Sequence, residues 1–227
     1  MCPKLPATCI ESLKKFGGKA AKLGFLAHPK VLGIGRDEQR KLGYRLTPYG
    51  FAVPLQFYKD FINDVQNTEL KLKMTEFIAS ENSKTPPSPA ERKKAIVELQ
   101  KLFYKSHIPN TNLVAIQEAL KNLSSQIGKE YAGLVLKKVK VRSSANAEDN
   151  TDVETKLKMQ PENLSCAIKG VYASLWNQRA VEERSFRRIY HQDAVMGLAI
   201  VPSYGFLKDQ GLDQTANSVV VTRVINS

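Results

Sequence analysis

Apolar residues recur along this chain with two different periods, and this alternation constrains its fold more than any other feature. In the middle of the chain they return every three or four positions, which predicts amphipathic helices over 89–105 and 111–127. Over 134–141 they alternate with lysines, which predicts a strand with one polar face. A helical pattern follows over 164–191, and a β-branched run at 194–201 predicts another strand. Helices alternating with strands predict an α/β (α+β) fold.

A glycine pair interrupts the helical pattern near the N-terminus. Gly17 and Gly18 end one short helix, and Lys19 begins the next. Two glycines allow the backbone to bend with positive φ, and a lysine at a helix start can hold phosphate oxygens together with the free N–H groups there. The alternative is that the pair only ends the first helix. Further on, residues 49–53 predict a strand, and Pro54 is well placed to begin the next helix.

A second candidate site lies where the lysine-rich strand is predicted to end. Arg142 closes the strand, and residues 143–149 form a predicted polar loop with two hydroxyls and two carboxylates. Arg142 can hold a phosphate in bidentate fashion, and Ser143 can donate a hydrogen bond to it. Glu148 or Asp149 can bind Mg²⁺ or a basic neighbour. The alternative interpretation is a lysine-rich edge strand whose charges oppose aggregation.

Charge narrows the choice of partners. The chain has 34 Lys+Arg against 22 Asp+Glu, a formal net charge of +12. This excess indicates either an anionic partner, such as a nucleotide, or a solvated basic face. A nucleic-acid partner has no motif to support it, because the aromatic residues are not interleaved with Lys and Arg as a stacking platform would need. No apolar run reaches the roughly 20 residues that span a membrane, so no membrane contact is predicted.

The cysteines and histidines indicate no metal site. The three cysteines form no C-x-x-C pair, which favours a reducing, cytoplasmic location over a zinc or disulfide framework. The lysine-rich first 30 residues are also compatible with a transit peptide, so an organelle lumen stays open as an alternative. His28, His107 and His191 lie far apart without an acid at metal-ligand spacing. They are predicted to be surface or capping residues.

Five stretches, in a fixed order, resemble the pyruvate phosphate dikinase and phosphoenolpyruvate synthase family. The stretch that looks like the family's VRSSA-x-AED signature is the most specific of them, whereas a GGK sequence alone is weak evidence. The five stretches are 16–24 (FGGKAAKLG), 49–54 (YGFAVP), 141–149 (VRSSANAED), 167–176 (AIKGVYASLW) and 216–223 (ANSVVVTR).

The resemblance implies an ATP-grasp-like nucleotide-binding domain, in which two α/β subdomains clamp ATP between them. It implies a first subdomain over 1–192 and the start of an incomplete second subdomain over 193–227. The family's GGK lysine and VRSS arginine contact the ATP phosphates, so Lys19 and Arg142 inherit those roles, with Arg142 as the catalytic residue. The positions expected near the adenine and the link between subdomains are Ile200, Val201 and Pro202.

In full-length members of this family, ATP with Mg²⁺ phosphorylates a histidine on a separate swivelling domain, which passes the phosphoryl group to pyruvate. The resemblance therefore implies the ATP-binding portion of a phosphotransferase, with nucleotide and the remaining catalytic domains or other subunits as partners. This chain departs from the family because no glycine occurs between Gly133 and Gly170, where a phosphate-covering loop is expected. Ser218 also replaces a strand glycine, and the metal-holding positions are expected beyond Ser227.

These departures predict that the chain alone is inactive, and they leave two alternatives to the phosphotransferase interpretation. One is a degenerate, non-catalytic family member that acts as a scaffold or binding module in a larger, RNA-containing or protein assembly. The other is a basic RNA-associated protein whose fold is incidental to its function.

Overall fold

The computed structural model describes residues 7–27, 49–130, 136–145, 156–158 and 161–203. Helices and short strands are mixed in these ranges, which agrees with the predicted α/β class in its coarse form. In chain order the elements are α1 (Ala7–Phe16), α2 (Gly18–Leu26), β1 (Phe51–Val53), α3 (Leu55–Asn63), α4 (Thr68–Glu81), α5 (Pro89–Lys105), α6 (Asn110–Glu130), β2 (Lys138–Ala145), β3 (Lys156–Lys158), α7 (Pro161–Ser174), α8 (Gln178–Phe186) and β4 (Met196–Pro202), with 3₁₀ turns at Val65–Asn67 and His191–Asp193.

The strands form one antiparallel sheet in the order β1-β4-β2-β3. β4 therefore pairs with β1 on one side and with β2 on the other. The last of the five family-like stretches, residues 216–223, lies outside the described residues. The division of the chain into two subdomains after residue 192 stays a prediction, because residues 204–227 also lie outside the described residues. β4, which follows residue 192, belongs to the same sheet as β1 and β2.

The two faces of β2 differ in polarity, as the alternating sequence predicts. Val139 and Val141 are buried, whereas Lys138 and Arg142 are exposed. Over Val139 and Lys140 the strand pairs with β4 on one side and β3 on the other. The interpretation of this segment as an edge strand is therefore wrong for this part of β2.

The predicted polar loop begins later than the sequence indicates. Ser143, Ser144 and Ala145 continue β2 and are buried, and they pair with β4 over Met196–Leu198. The prediction was wrong here because small hydroxyl residues can sit in a buried strand when a neighbouring element satisfies their polar atoms. The rest of that loop, residues 146–149, lies outside the described residues.

Helix ends also differ from the predicted ones. The pattern expected to run to His191 is broken after α7, because the Asn177 side chain accepts a hydrogen bond from the Ala180 amide (2.7 Å) and starts α8. α6 does not end at residue 127, as predicted, but continues to Glu130. α3 ends at Asn63, and the Val65 side chain beyond it is 86% exposed.

One helix was predicted to within a residue. α5 begins at Pro89 after the N-cap Ser88, and the Ser88 and Glu91 side chains each bond the other's backbone N–H in a capping box. These hydrogen bonds also lower the pKa of the Glu91 carboxyl. Local sequence is sufficient here because both partners lie within one helical turn.

The core lies where the helices meet the apolar face of the sheet. α7 packs against α5 and β2 and brings large aromatic side chains into the interior. The rings of Phe61, Phe103 and Tyr172 pack together, with the Phe61 ring 5.9 Å from that of Phe103 and 5.3 Å from that of Tyr172 between centroids. The Trp176 indole N–H donates to the Tyr58 hydroxyl (2.8 Å), so the buried polar atoms of both rings are satisfied.

Candidate functional site at the glycine junction

The glycine pair forms a sharp junction between the first two helices. α1 ends at Phe16 and α2 begins at Gly18, and the residue between them, Gly17, has φ +77°. This confirms the prediction that the glycine pair permits a left-handed backbone conformation. Gly17 is the N-cap of α2 but has no side chain with which to cap it. The first N–H groups of this helix must therefore find partners elsewhere.

The missing cap comes from β2. The Ser144 hydroxyl accepts a hydrogen bond from the Ala20 amide (2.9 Å), at the third position of α2, where an N-cap side chain would normally bind. The same hydroxyl donates to the carbonyl oxygen of Phe16 (2.7 Å), the last residue of α1. One fully buried serine, more than 120 residues away in sequence, thus satisfies polar groups at the ends of both helices.

The backbones at this junction approach so closely that side chains are excluded. A Cβ atom at Gly17 would overlap the carbonyl oxygen of Ser144. A Cβ atom at Gly197, which lies opposite Ser144 in the sheet, would be 2.8 Å from the Phe16 carbonyl oxygen and 3.0 Å from that of Val53. The sequence analysis missed Gly197. Its only signal was a glycine inside a β-branched run, which is typical of a close backbone approach.

The two predicted phosphate-binding motifs therefore meet at one place. Lys19 lies two residues after Gly17, on the first turn of α2, and is partly exposed. Arg142 lies two residues before Ser144 on the same face of β2, and its side chain is exposed. Lys140 continues this face and is half-buried. The face thus leads from the glycine junction along a row of cations, and no acidic residue of β2 interrupts it.

The other predicted nucleotide-binding residues lie on the same two strands but on both faces of the sheet. Ser143 is buried on the face opposite Arg142. Ile200 is paired with Val141, so it lies on the core face, whereas Val201 is paired with Lys140 and shares its face. Pro202, paired with Val139, ends β4. All four are buried, and none of their ligand roles is tested by this arrangement.

Among the described residues, no group of three or more His, Cys, Asp or Glu side chains is placed to hold a metal ion. The predicted candidates Glu148 and Asp149 lie outside the described residues. No helix in the described part of the chain is long and apolar enough to cross a membrane.

His191 is buried, so its prediction as a surface or capping residue was wrong. Its Nδ1 accepts a hydrogen bond from Arg184 Nε–H (3.1 Å), and its Nε2 lies 3.2 Å from the Ser185 hydroxyl. Burial and the Arg184 charge both lower the pKa of the imidazole. His107 instead lies beside a carboxylate, with its Nδ1 3.3 Å from Asp64 Oδ2. His28 is outside the described residues.

The mixed fold of helices and an antiparallel sheet is compatible with an α/β nucleotide-binding domain, and comparison with known proteins shows which family the chain belongs to. The family described as "Pyruvate phosphate dikinase, AMP/ATP-binding domain" matches residues 13–227, and the chain belongs to this family. The resemblance predicted from the five motifs is thereby confirmed.

A curated relative supports the same assignment. The chain is 29% identical over 198 residues to the phosphoenolpyruvate synthase of Aeropyrum pernix. The alignment covers 84% of this chain but 21% of that enzyme, so the chain spans about a fifth of the length of its relative.

Proposed function

We propose that this chain forms the ATP-binding part of a dikinase-type phosphotransferase, in which Lys19 and Arg142 hold the phosphates of ATP. One observation carries the proposal. The hydrogen bonds of the Ser144 hydroxyl join the glycine junction to β2, so the elements that bear the two cations are fixed to each other. Phosphoryl transfer depends mainly on positioning and on charge neutralisation, and two fixed cations supply both.

Each cation has a distinct role in this proposal. The Arg142 guanidinium is exposed and planar, which suits bidentate contact with a phosphate. Lys19 lies at the N-terminal end of α2, where the helix dipole also favours negative charge. Mg²⁺ would neutralise further phosphate charge. The described residues contain no cluster to hold the ion, so we propose that Glu148, Asp149 or the nucleotide itself would bind it.

The proposal also includes the fold, the adenine-binding residues and the phosphoryl acceptor that the family resemblance implies. The fold would be of the ATP-grasp type, with 1–192 as one subdomain and 193–227 as part of a second. Residues 200–202 would lie near the adenine, and Ser143 would support the phosphate site from β2. ATP would phosphorylate a histidine on another domain or subunit, in a cytoplasmic setting.

A second candidate function is a degenerate, non-catalytic domain that serves as a scaffold or binding module. Its support is the absence of any glycine between Gly133 and Gly170, where the family's loop over the phosphates is expected. Without such a loop, water would have free access to the phosphates, which favours binding without transfer.

Calorimetric titration of the full chain with ATP, with and without Mg²⁺, tests the proposal. Removal of one charge-assisted phosphate contact is expected to weaken ATP binding by at least about tenfold in Arg142→Ala and in Lys19→Ala. Lys93→Ala is the matched control, because Lys93 is exposed on α5 and its loss also removes one positive charge. Equal affinity in all four proteins would overturn the assignment of these residues. ATP binding with no phosphorylated histidine in a complex with the other domains would favour the second candidate.

A further inference from the structure

Two exposed aromatic side chains flank a pair of arginines at the end of α8. Phe186 is 88% exposed and Tyr190 is 65% exposed, and Arg187 and Arg188 lie between them. We call these four residues the aromatic–arginine patch. The sequence analysis missed it because residues 164–191 were interpreted as one continuous amphipathic helix. Since α8 instead ends at Phe186, the segment turns out towards solvent.

The backbone of the patch has an unusual conformation at Arg188. Its φ is +57°, and no other described non-glycine residue has a positive φ. A glycine commonly occupies this position after a helix, because a side chain is unfavourable in this left-handed conformation. Arg187 is paired with Glu183 (2.7 Å), whereas Arg188 has no ion pair within the described part of the chain. An exposed arginine in this unfavourable conformation is a candidate for a contact outside the fold.

A basic cleft begins beside this patch. It has a volume of about 680 Å³, and its wall includes Lys14, Lys15 and Lys59, against one acidic residue, Asp193. Gln192 also lines it. Gln192 follows Tyr190 by two residues, so the Cα atoms of these two residues lie at most about 7 Å apart. The patch and the cleft are thus neighbours along the chain at Tyr190 and Gln192.

We propose that the aromatic–arginine patch and the lysine cleft together bind a single-stranded nucleic acid. The rings of Phe186 and Tyr190 would stack on bases, and Arg188 with the cleft lysines would contact successive phosphates. A small anion would need only the cleft and would leave the exposed rings unused. An acidic peptide would need the cations but not open ring faces beside them. The proposed surface includes neither Lys19 nor Arg142, the two cations of the proposed ATP site.

Fluorescence anisotropy of the full chain with labelled 12-mers of oligo(U) and oligo(dT) tests this proposal. The double variant Phe186→Ala/Tyr190→Ala is expected to weaken binding by about tenfold or more, because stacking on two bases is lost. Lys14→Ala/Lys15→Ala is expected to weaken binding and to reduce the salt slope by about 0.7 for each phosphate contact removed. Preference for oligo(U) over oligo(dT) would identify RNA, and equal binding would identify single strands of either kind.

The matched control is Lys93→Ala/Lys94→Ala, which removes two exposed positive charges from α5. If this variant weakens binding as much as Lys14→Ala/Lys15→Ala does, binding follows net charge alone and the proposal is wrong. If Arg142→Ala abolishes binding and the cleft variants do not, the oligonucleotide binds at the proposed ATP site and the proposal is wrong. The proposal is also wrong if neither oligonucleotide binds while poly-glutamate binds tightly and Phe186→Ala/Tyr190→Ala does not weaken that binding. A third variant, Arg188→Gly, is expected to be more stable than the wild type and yet to bind more weakly.

Discussion

One hydroxyl group joins two helices to a strand in this protein. Ser144 satisfies the Ala20 amide and the Phe16 carbonyl, while Gly17 and Gly197 leave the space in which the backbones meet. The direction in which α2 leaves the junction is therefore set by the sheet and not by α1. The first turn of α2 carries Lys19, so the position of its backbone depends on Ser144, Gly17 and Gly197.

Gly17→Ala is expected to lower the free energy of unfolding by about 2 kcal/mol or more. The φ of +77° is unfavourable for alanine, and its methyl group would overlap the Ser144 carbonyl oxygen. Gly24→Ala is the control, because Gly24 lies within α2 and a Cβ atom there would meet nothing within 4 Å. This control is expected to be neutral or to stabilise by up to about 1 kcal/mol. Urea denaturation measures both, and equal effects would contradict the packing described for the junction.

At the scale of elements, the connection from α8 to β4 is held by a buried polar cluster. Arginine has no acceptor, so the Arg184 Nε–H must donate to His191 Nδ1, and the proton of the neutral ring then lies on Nε2. Ser185 accepts from Nε2–H and donates to the Val181 carbonyl (3.1 Å). Arg184 also lies over the Trp176 ring, 5.2 Å from its centroid. Protonation of His191 would break this arrangement.

The stability of the protein is therefore expected to fall as the pH drops below about 6.5, the ordinary pKa of histidine. The pKa of folded His191 is lowered by burial and by Arg184, with Glu81 acting in the opposite sense and Arg92 in the same sense. The unfolded chain thus binds the proton first. The loss of stability begins at the unfolded pKa and levels off below the folded pKa.

Urea denaturation between pH 5 and 8 measures this dependence, with His191→Gln as the comparison. The glutamine oxygen can accept from Arg184 Nε–H but cannot titrate, so the variant is expected to show a weaker dependence on pH over this range. Parallel pH profiles would show that His191 does not titrate between the two states.

At the scale of the whole molecule, the helices and the sheet share one core. Phe103 of α5 and Phe61 of α3 are fully buried and stacked, and Tyr172 of α7 completes the group. Burial also raises the pKa values of the Tyr172 and Tyr58 hydroxyls well above the ordinary value for tyrosine. Neither tyrosine therefore contributes to the charge of the protein near neutral pH.

Phe103→Ala is expected to lower the free energy of unfolding by about 3–5 kcal/mol, because it removes a fully buried ring and leaves a cavity between helices. Phe186→Ala removes the same ring from a position that is 88% exposed, so its expected effect is within about 0.5 kcal/mol of zero. Thermal or urea denaturation compares them. Similar losses in the two variants would contradict the placement of Phe186 outside the core.

Elements whose signals are local could be predicted, and elements that depend on distant partners could not. α5 was predicted from the helical spacing of its apolar residues, and its capping residues Ser88, Pro89 and Glu91 interact within one turn. The extension of β2 through Ser143–Ala145 was missed, because those residues are stabilised by β4 and by the glycine junction. The burial of His191 was missed for the same reason, since its partner Arg184 lies on a helix whose end the sequence did not reveal.

The sequence by itself determined the mixed helix and strand class, the glycine junction and the membership of the dikinase family, because periodicity, glycine conformation and motifs are properties of short segments. Only the tertiary structure decided that Ser144 caps α2, that Gly197 must lack a side chain, and that Phe186 and Tyr190 stand beside a basic cleft. These features depend on contacts between residues far apart in the chain, and no local pattern encodes such contacts.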